Sequence, residues 1–169
     1  MNRRDVVSIS ALTVLGLALP SGYALGQTAK DLVGTWSWVS VELARADGTK
    51  TQPFSANPKG MVIFDSNGRF VYLLTRPGRP KFAANNREEG SAEENKATAQ
   101  GTLAYSGTYE VTDGGKTLVF HIEASSFPNS EGTDQKRTIT LTADELKWVN
   151  PAPTVAGGGT AHTVLKRVK

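Results

Sequence analysis

"MVIFDSNGRFVYLLT", residues 61–75, decides how the rest of the chain is read. Two runs rich in β-branched and aromatic residues meet across "SNG", and an Asn-Gly pair between such runs supplies the positive backbone angles of a tight hairpin turn. Phe70 and Tyr72 then share one strand face, because successive side chains alternate.

The same grammar extends in both directions. "TWSWVSVEL" (35–43) runs into "ADGTK"; "TLAYSGTYEV" and "TLVFHIEAS" flank "TDGGK"; "KRTITLT" and "ELKWVN" flank "AD"; "AHTVLKRV" closes the chain. These segments predict eight antiparallel strands in meander order. One stretch departs from the pattern: "NNREEGSAEENKATAQG" (85–101) has no period of two. It is read as a helix near 88–100, with Ser91 and Glu94 at capping-box spacing. "NPAPTVAGGGTA" (150–161), with its prolines and three consecutive glycines, is a loop. Without helices to cover a sheet face, eight strands form a sandwich or close on themselves. Closure removes the unpaired edges and leaves an interior wide enough for side chains plus one small ligand. The expectation is an all-β, eight-stranded up-and-down barrel over residues 31–168.

The amino terminus sets a compartment. "MNRRDVV" is basic, "VVSISALTVLGLALP" is apolar over the length of a signal h-region, and "YALGQ" offers small residues before Gln27. This predicts a signal peptide, residues 1–26, and a mature domain of residues 27–169 that is periplasmic or secreted. The adjacent Arg3 and Arg4 also resemble a twin-arginine signal. The apolar run is shorter than the ~20 residues that span a bilayer, so no stable membrane insertion is expected after cleavage. The chain has no Cys, which excludes disulfides, thiol ligands and a lipid anchor on cysteine. The formal net charge is +3, with basic and acidic residues interspersed, and this argues against a nucleic-acid stripe. "RPGRPK" (76–81), the one basic cluster, reads as a solvated loop held by prolines.

Gly34, Thr35 and Trp36 in "LVGTWSWVSVE" resemble the Gly-x-Trp signature at the head of lipocalins and related calycin barrels. With "PFSANPKGMVIFDSNGRFVYLL", "RPGRPKFA", "AYSGTYEV", "FPNSEGTDQKRTI" and "ELKW", the chain resembles the lipocalin-like domain family of bacterial and fungal proteins over residues 31–168. That resemblance implies a calycin-type barrel with an internal cavity and Trp36 plugging one end. It implies no known reaction. The Thr-Asp-Tyr motif of ordinary lipocalins is absent.

"HIEASSFPNSEGTDQKR" (121–137) holds most of the candidate chemistry. Alternation groups Val119, His121, Glu123 and Ser125 on one face, opposite Leu118, Phe120, Ile122 and Ala124. The apolar face normally makes the core, which turns His121 and Glu123 to solvent. A polar lumen would instead bring His121, Glu123 and Arg137 together inside, where a His beside a carboxylate serves as acid or base. Arg137 shares its face with Ile139 and Leu141 and so is placed on the core side. It then needs an anionic or carbonyl partner, either Glu123 or a ligand carboxylate. Asn129, in the turn-forming "SFPNSEGTD", is a candidate ligand contact at the barrel mouth. Tyr72 and Tyr105 combine lumen packing with a hydroxyl that needs a partner. Trp36 with Trp38, and Tyr105 with Tyr109, also share faces.

Two functions compete at this point. One is an exported protein binding a small, partly hydrophobic or amphipathic ligand through Tyr72, Tyr105, His121, Glu123, Asn129 and Arg137. The other is a cofactor-independent isomerase, cyclase or dehydratase using His121 and Glu123. A fully packed interior would make the domain a structural or interaction module. His121, His162 and Glu123 are the only plausible ligand set for a metal, and no metal or cofactor is expected.

Overall fold

A computed structural model describes residues 27–155 and 157–169. The expected signal peptide, residues 1–26, lies outside the described residues. Nine strands follow in chain order: β1 (Gly34–Ala44), the two-residue β2 (Lys50–Thr51), β3 (Lys59–Phe64), β4 (Arg69–Thr75), β5 (Thr102–Thr112), β6 (Thr117–Ser125), β7 (Asp134–Leu141), β8 (Glu145–Asn150) and β9 (Thr160–Arg167). Each of the eight longer strands pairs antiparallel with its neighbour, and β1 pairs with β9 from Trp36↔Arg167 to Ala44↔Thr160. The sheet therefore closes into an eight-stranded barrel, with β2 as a short flap on the end of β1. Closure satisfies the backbone groups that a sandwich would leave at its edges.

The hairpin at residues 61–75 forms as its sequence dictates. Val62↔Tyr72 and Phe64↔Phe70 face inward and are buried, while the cross-strand partners Met61↔Leu73 and Ile63↔Val71 lie on the outer face and stay exposed. Asp65 holds the turn by accepting from the Asn67 and Arg69 amides.

One end of the barrel is sealed. A short helix, α1 (Ala29–Leu32), precedes β1, and Leu32 and Trp36 are fully buried. The Trp36 indole N–H donates to the Leu32 carbonyl at 2.8 Å. Arg167 stacks over the indole with its guanidinium carbon 4.2 Å from the ring centroid, and donates to the carbonyls of Val33, Asp31 and Ala143. The sequence reading missed α1, because four residues are too few to show helical periodicity.

The second helix, α2 (Ala92–Gln100), sits at the opposite end. Ser91 caps it: its hydroxyl accepts from the Glu94 amide, and the Glu94 carboxylate accepts from the Ser91 amide. No residue of α2 is fully buried, so the capping box rather than core packing defines its start. Among the described residues no helix is long and apolar enough to cross a membrane.

Candidate functional site

Above the sealed base, the inward faces of the strands build an aromatic floor. Tyr72 and Tyr105 are register partners on β4 and β5, stacked with centroids 4.2 Å apart and planes 18° from parallel. Trp38 meets Tyr72 edge-on at 4.9 Å, and Trp148 of β8 lies 6.2 Å from Tyr72. Phe120 sits beneath, 4.6 Å from Phe70. The Trp38 indole N–H donates to the Leu73 carbonyl, so its polar atom is satisfied inside the wall.

On this floor stands a cavity of ≈ 680 Å³, within the range of small-molecule sites. Apolar and aromatic walls come from residues such as Val41, Leu74, Tyr105 and Trp148. The mouth is framed by Pro53 and Phe54, by Ala99 and Gln100 at the end of α2, by Phe127 after β6, and by Pro153–Val155 before β9. The helix and the proline-glycine loop that interrupted the strand grammar thus both serve the opening.

Arg137 lies inside, as its apolar neighbours required, and is 5% exposed. Its guanidinium stands over Phe120 at 5.9 Å and donates to the Lys136 carbonyl at 2.8 Å and to Gln135 Oε1 at 2.5 Å. Glu123 is not its partner. Arg137 pairs in register with Leu118, and Glu123 reaches out to Arg69 of β4 at 2.6 Å. The register of β6 against β7 sets Arg137 five residues from Glu123, and a β-bulge marks Glu123 on the other side: Ser106 pairs with Ala124 but Gly107 pairs with Ile122, which leaves Glu123 as the extra residue on β6. The bulge also reverses the alternation beyond it, so Ser125 pairs with inward Tyr105 rather than sharing the outer face of His121.

His121 faces outward. Its Nδ1 lies 2.6 Å from Asp134, its register partner on β7, and its Nε2 lies 3.7 Å from Glu110. The structure therefore does not bring His121, Glu123 and Arg137 together, and neither His121 nor Glu123 lines the cavity. Asn129 falls in a single 3-10 turn, Pro128–Ser130, where it is exposed and outside the cavity lining. Its neighbour Phe127 takes the position at the mouth. Among the described residues no group of three His, Asp or Glu side chains is placed to hold a metal.

Several lining residues escaped the sequence reading. Arg45 and Arg76 each follow directly after a strand, and both line the cavity. Arg76 belongs to the "RPGRPK" cluster read as a solvated loop. Its Nε instead donates to the Pro53 carbonyl across the mouth, and Arg79 hydrogen-bonds Thr102. A basic residue one place beyond a strand end was the available signal. Alternation does not reach past a strand end, so it could not say which way these side chains turn.

Burial pushes the Tyr72 hydroxyl well above its ordinary value near 10, with Tyr105 adding to the rise and Arg137 opposing it. Tyr105 is raised by burial too, against the pull of Arg137. Ionisation is thus easier in the unfolded chain than in the barrel. The stability these two groups contribute is whole below about pH 10 and falls as pH rises beyond it, by up to about 1.4 kcal/mol per pH unit for each tyrosine. Urea midpoints measured from pH 8 to 11.5 should stay level and then drop above pH 10, and Tyr72→Phe should make the drop shallower.

The family model of the lipocalin-like domain matches residues 33–167, nearly the whole barrel. The chain belongs to the lipocalin-like domain family. A fungal relative, the 4'-hydroxy-3'-methoxypropiophenone carrier protein of Aspergillus oryzae, is 33% identical over 91 residues, covering 50% of this chain and 82% of that protein. Among solved structures, an uncharacterized protein from Bacteroides eggerthii is similar at 13% identity, covering 81% of this chain and 99% of the other with a TM-score of 0.42. Membership of the lipocalin-like family and a relative named as a carrier both support small-molecule binding.

Proposed function

We propose that this lipocalin-like protein is an exported, non-catalytic binding protein that holds a small, partly hydrophobic molecule in the barrel lumen. The observation that carries the reading is the ≈ 680 Å³ cavity, walled by aromatic and aliphatic side chains and opening beside α2. The relative from Aspergillus oryzae, whose name makes it a carrier of a small aromatic compound, supports the same class. The outward positions of His121 and Glu123 count against the isomerase, cyclase or dehydratase alternative, which required that pair inside.

Native mass spectrometry of protein purified from its own cells should reveal a retained small molecule, and release on denaturation should identify its class. Protein that carries nothing, and that takes up no apolar probe, would point to a structural module instead. His121→Ala and Glu123→Ala should leave ligand affinity unchanged; loss of binding in either would reopen the catalytic reading.

Export is part of the proposal, resting on the basic, apolar and small-residue sequence of residues 1–26. The mature protein should begin at Gln27 and fractionate with the periplasm or medium. An intact chain starting at Met1 and retained in the cytoplasm would refute it.

A further inference from the structure

The cavity has a polarity that its apolar walls conceal. Among the described residues that line it, three are arginines, Arg45, Arg76 and Arg137, and none is an Asp or Glu. Arg137 is buried, yet its hydrogen bonds go to a backbone carbonyl and to the neutral Gln135 side chain. Among the described residues no carboxylate lies within ion-pair distance of it, whereas carboxylates on the outer surface pair with Lys50, Arg69 and Lys147. Arg45 stands at the rim, near enough to Asp47 to help the Thr49 amide lower that carboxyl. Its Nε is buried with no hydrogen-bond partner, while its acidic neighbour Asp47 accepts from the Thr49 amide.

A guanidinium cannot shed its charge, so burying one without a counter-charge is costly. A fold that tolerates this at Arg137 and leaves Arg45 Nε unpartnered has placed positive charge where a lumen occupant can meet it. Building on the binding reading above, we propose that the ligand is an amphipathic organic anion, with an apolar or aromatic body against Tyr72 and Trp148 and a carboxylate-type head held by Arg137. Arg45 and Arg76 attract the head at the mouth. The planar fork of Arg137 suits a carboxylate or sulfonate, and the Tyr105 hydroxyl beside it offers a further donor. The occupant's charge completes an ion pair that the protein itself leaves open.

Two fluorescent probes with the same ring skeleton test this on the whole protein: the anion anilinonaphthalene sulfonate and the neutral N-phenylnaphthylamine. The anion should bind about tenfold more tightly, the gain of one charge-assisted contact in a low-dielectric site. Arg137→Met should abolish that gap while the neutral probe binds as before. Lys136→Met, which removes the same charge from the exposed neighbour, should preserve the gap. Equal affinity for the two probes in the wild-type protein would overturn the inference and leave the binding reading standing. Binding of neither probe would overturn both. The wild-type comparison needs no variant, so it decides the matter even where Arg137→Met does not fold. Where that variant folds, its thermal midpoint without ligand should match or exceed the wild type, because an unpaired buried charge has been replaced by an apolar side chain. A markedly lower midpoint would assign Arg137 to holding the fold instead.

Discussion

Trp36→Ala should destabilise the protein by about 3–5 kcal/mol, the range for truncating a large buried aromatic. Three losses coincide at this residue. The fully buried indole leaves a cavity between α1 and the barrel base, because its neighbours Leu32 and Phe64 are fixed by strands and helix and cannot collapse into it. The Leu32 carbonyl loses the indole N–H that satisfies it. Arg167, stacked at 4.2 Å, loses the ring face beneath its guanidinium although it keeps its three carbonyl partners. Urea unfolding should show the midpoint falling at constant slope. Trp36→Phe should recover much of the packing but not the hydrogen bond, and should lie between the two. A Trp36→Ala protein as stable as wild type would mean that the base plug contributes nothing to the barrel. Because the base is far from the mouth, ligand affinity of the folded fraction should be unaffected.

Gly107→Ala should cost about 3 kcal/mol or somewhat more, at the upper end of overpacking effects. A methyl at Gly107 would lie 1.9 Å from the His121 carbonyl oxygen and 3.0 Å from the Glu123 amide nitrogen. Those are backbone atoms of β6, where His121 is held by the ladder on both sides. The clash cannot be relieved by rotating a side chain, so β6 must move away from β5 at the bulge. The expected readouts are a large fall in the urea midpoint and faster amide exchange at Thr108 and His121, register partners across the β5–β6 seam, whose neighbours Tyr109 and Ile122 donate away from it to Gly68 and Thr133. The same displacement should reach the mouth, since the bulge sets which residues of the following segment turn inward. Weakened ligand binding is therefore expected along with the stability loss. A variant with wild-type stability and exchange would show that the bulge can slide, and that the inward setting of Ser125 is not fixed by it.

The two substitutions act on features of different legibility. Trp36 could be placed from sequence because Gly34, Thr35 and Trp36 resemble the Gly-x-Trp opening of lipocalins, and that resemblance implies an indole plugging one end of the barrel. The closed barrel was legible from local pattern: the "SNG" turn and the short connections of a meander leave each strand beside its sequence neighbour, and eight strands without covering helices must bury their edges. Arg137 was placed inside correctly from Ile139 and Leu141, and Tyr72 and Tyr105 from their strand faces. These are local statements, each needing only the period of the backbone and the preference of apolar side chains for the interior. What sequence could not supply was the pairing of side chains on different strands. Glu123 was matched to Arg137 by following "FPNSEGTDQ" as a plain hairpin, but the β6–β7 register sets Arg137 opposite Leu118 and His121 opposite Asp134, and Glu123 reaches past β5 to Arg69 of β4. Arg45, Arg76 and Phe127 reached the cavity from positions beyond strand ends, where alternation no longer applies and the path of the loop decides direction. Alternation fixes a face because it is a property of one strand's covalent geometry. The partners on that face depend on register, bulges and closure, which are settled only when the whole sheet folds into a single ring.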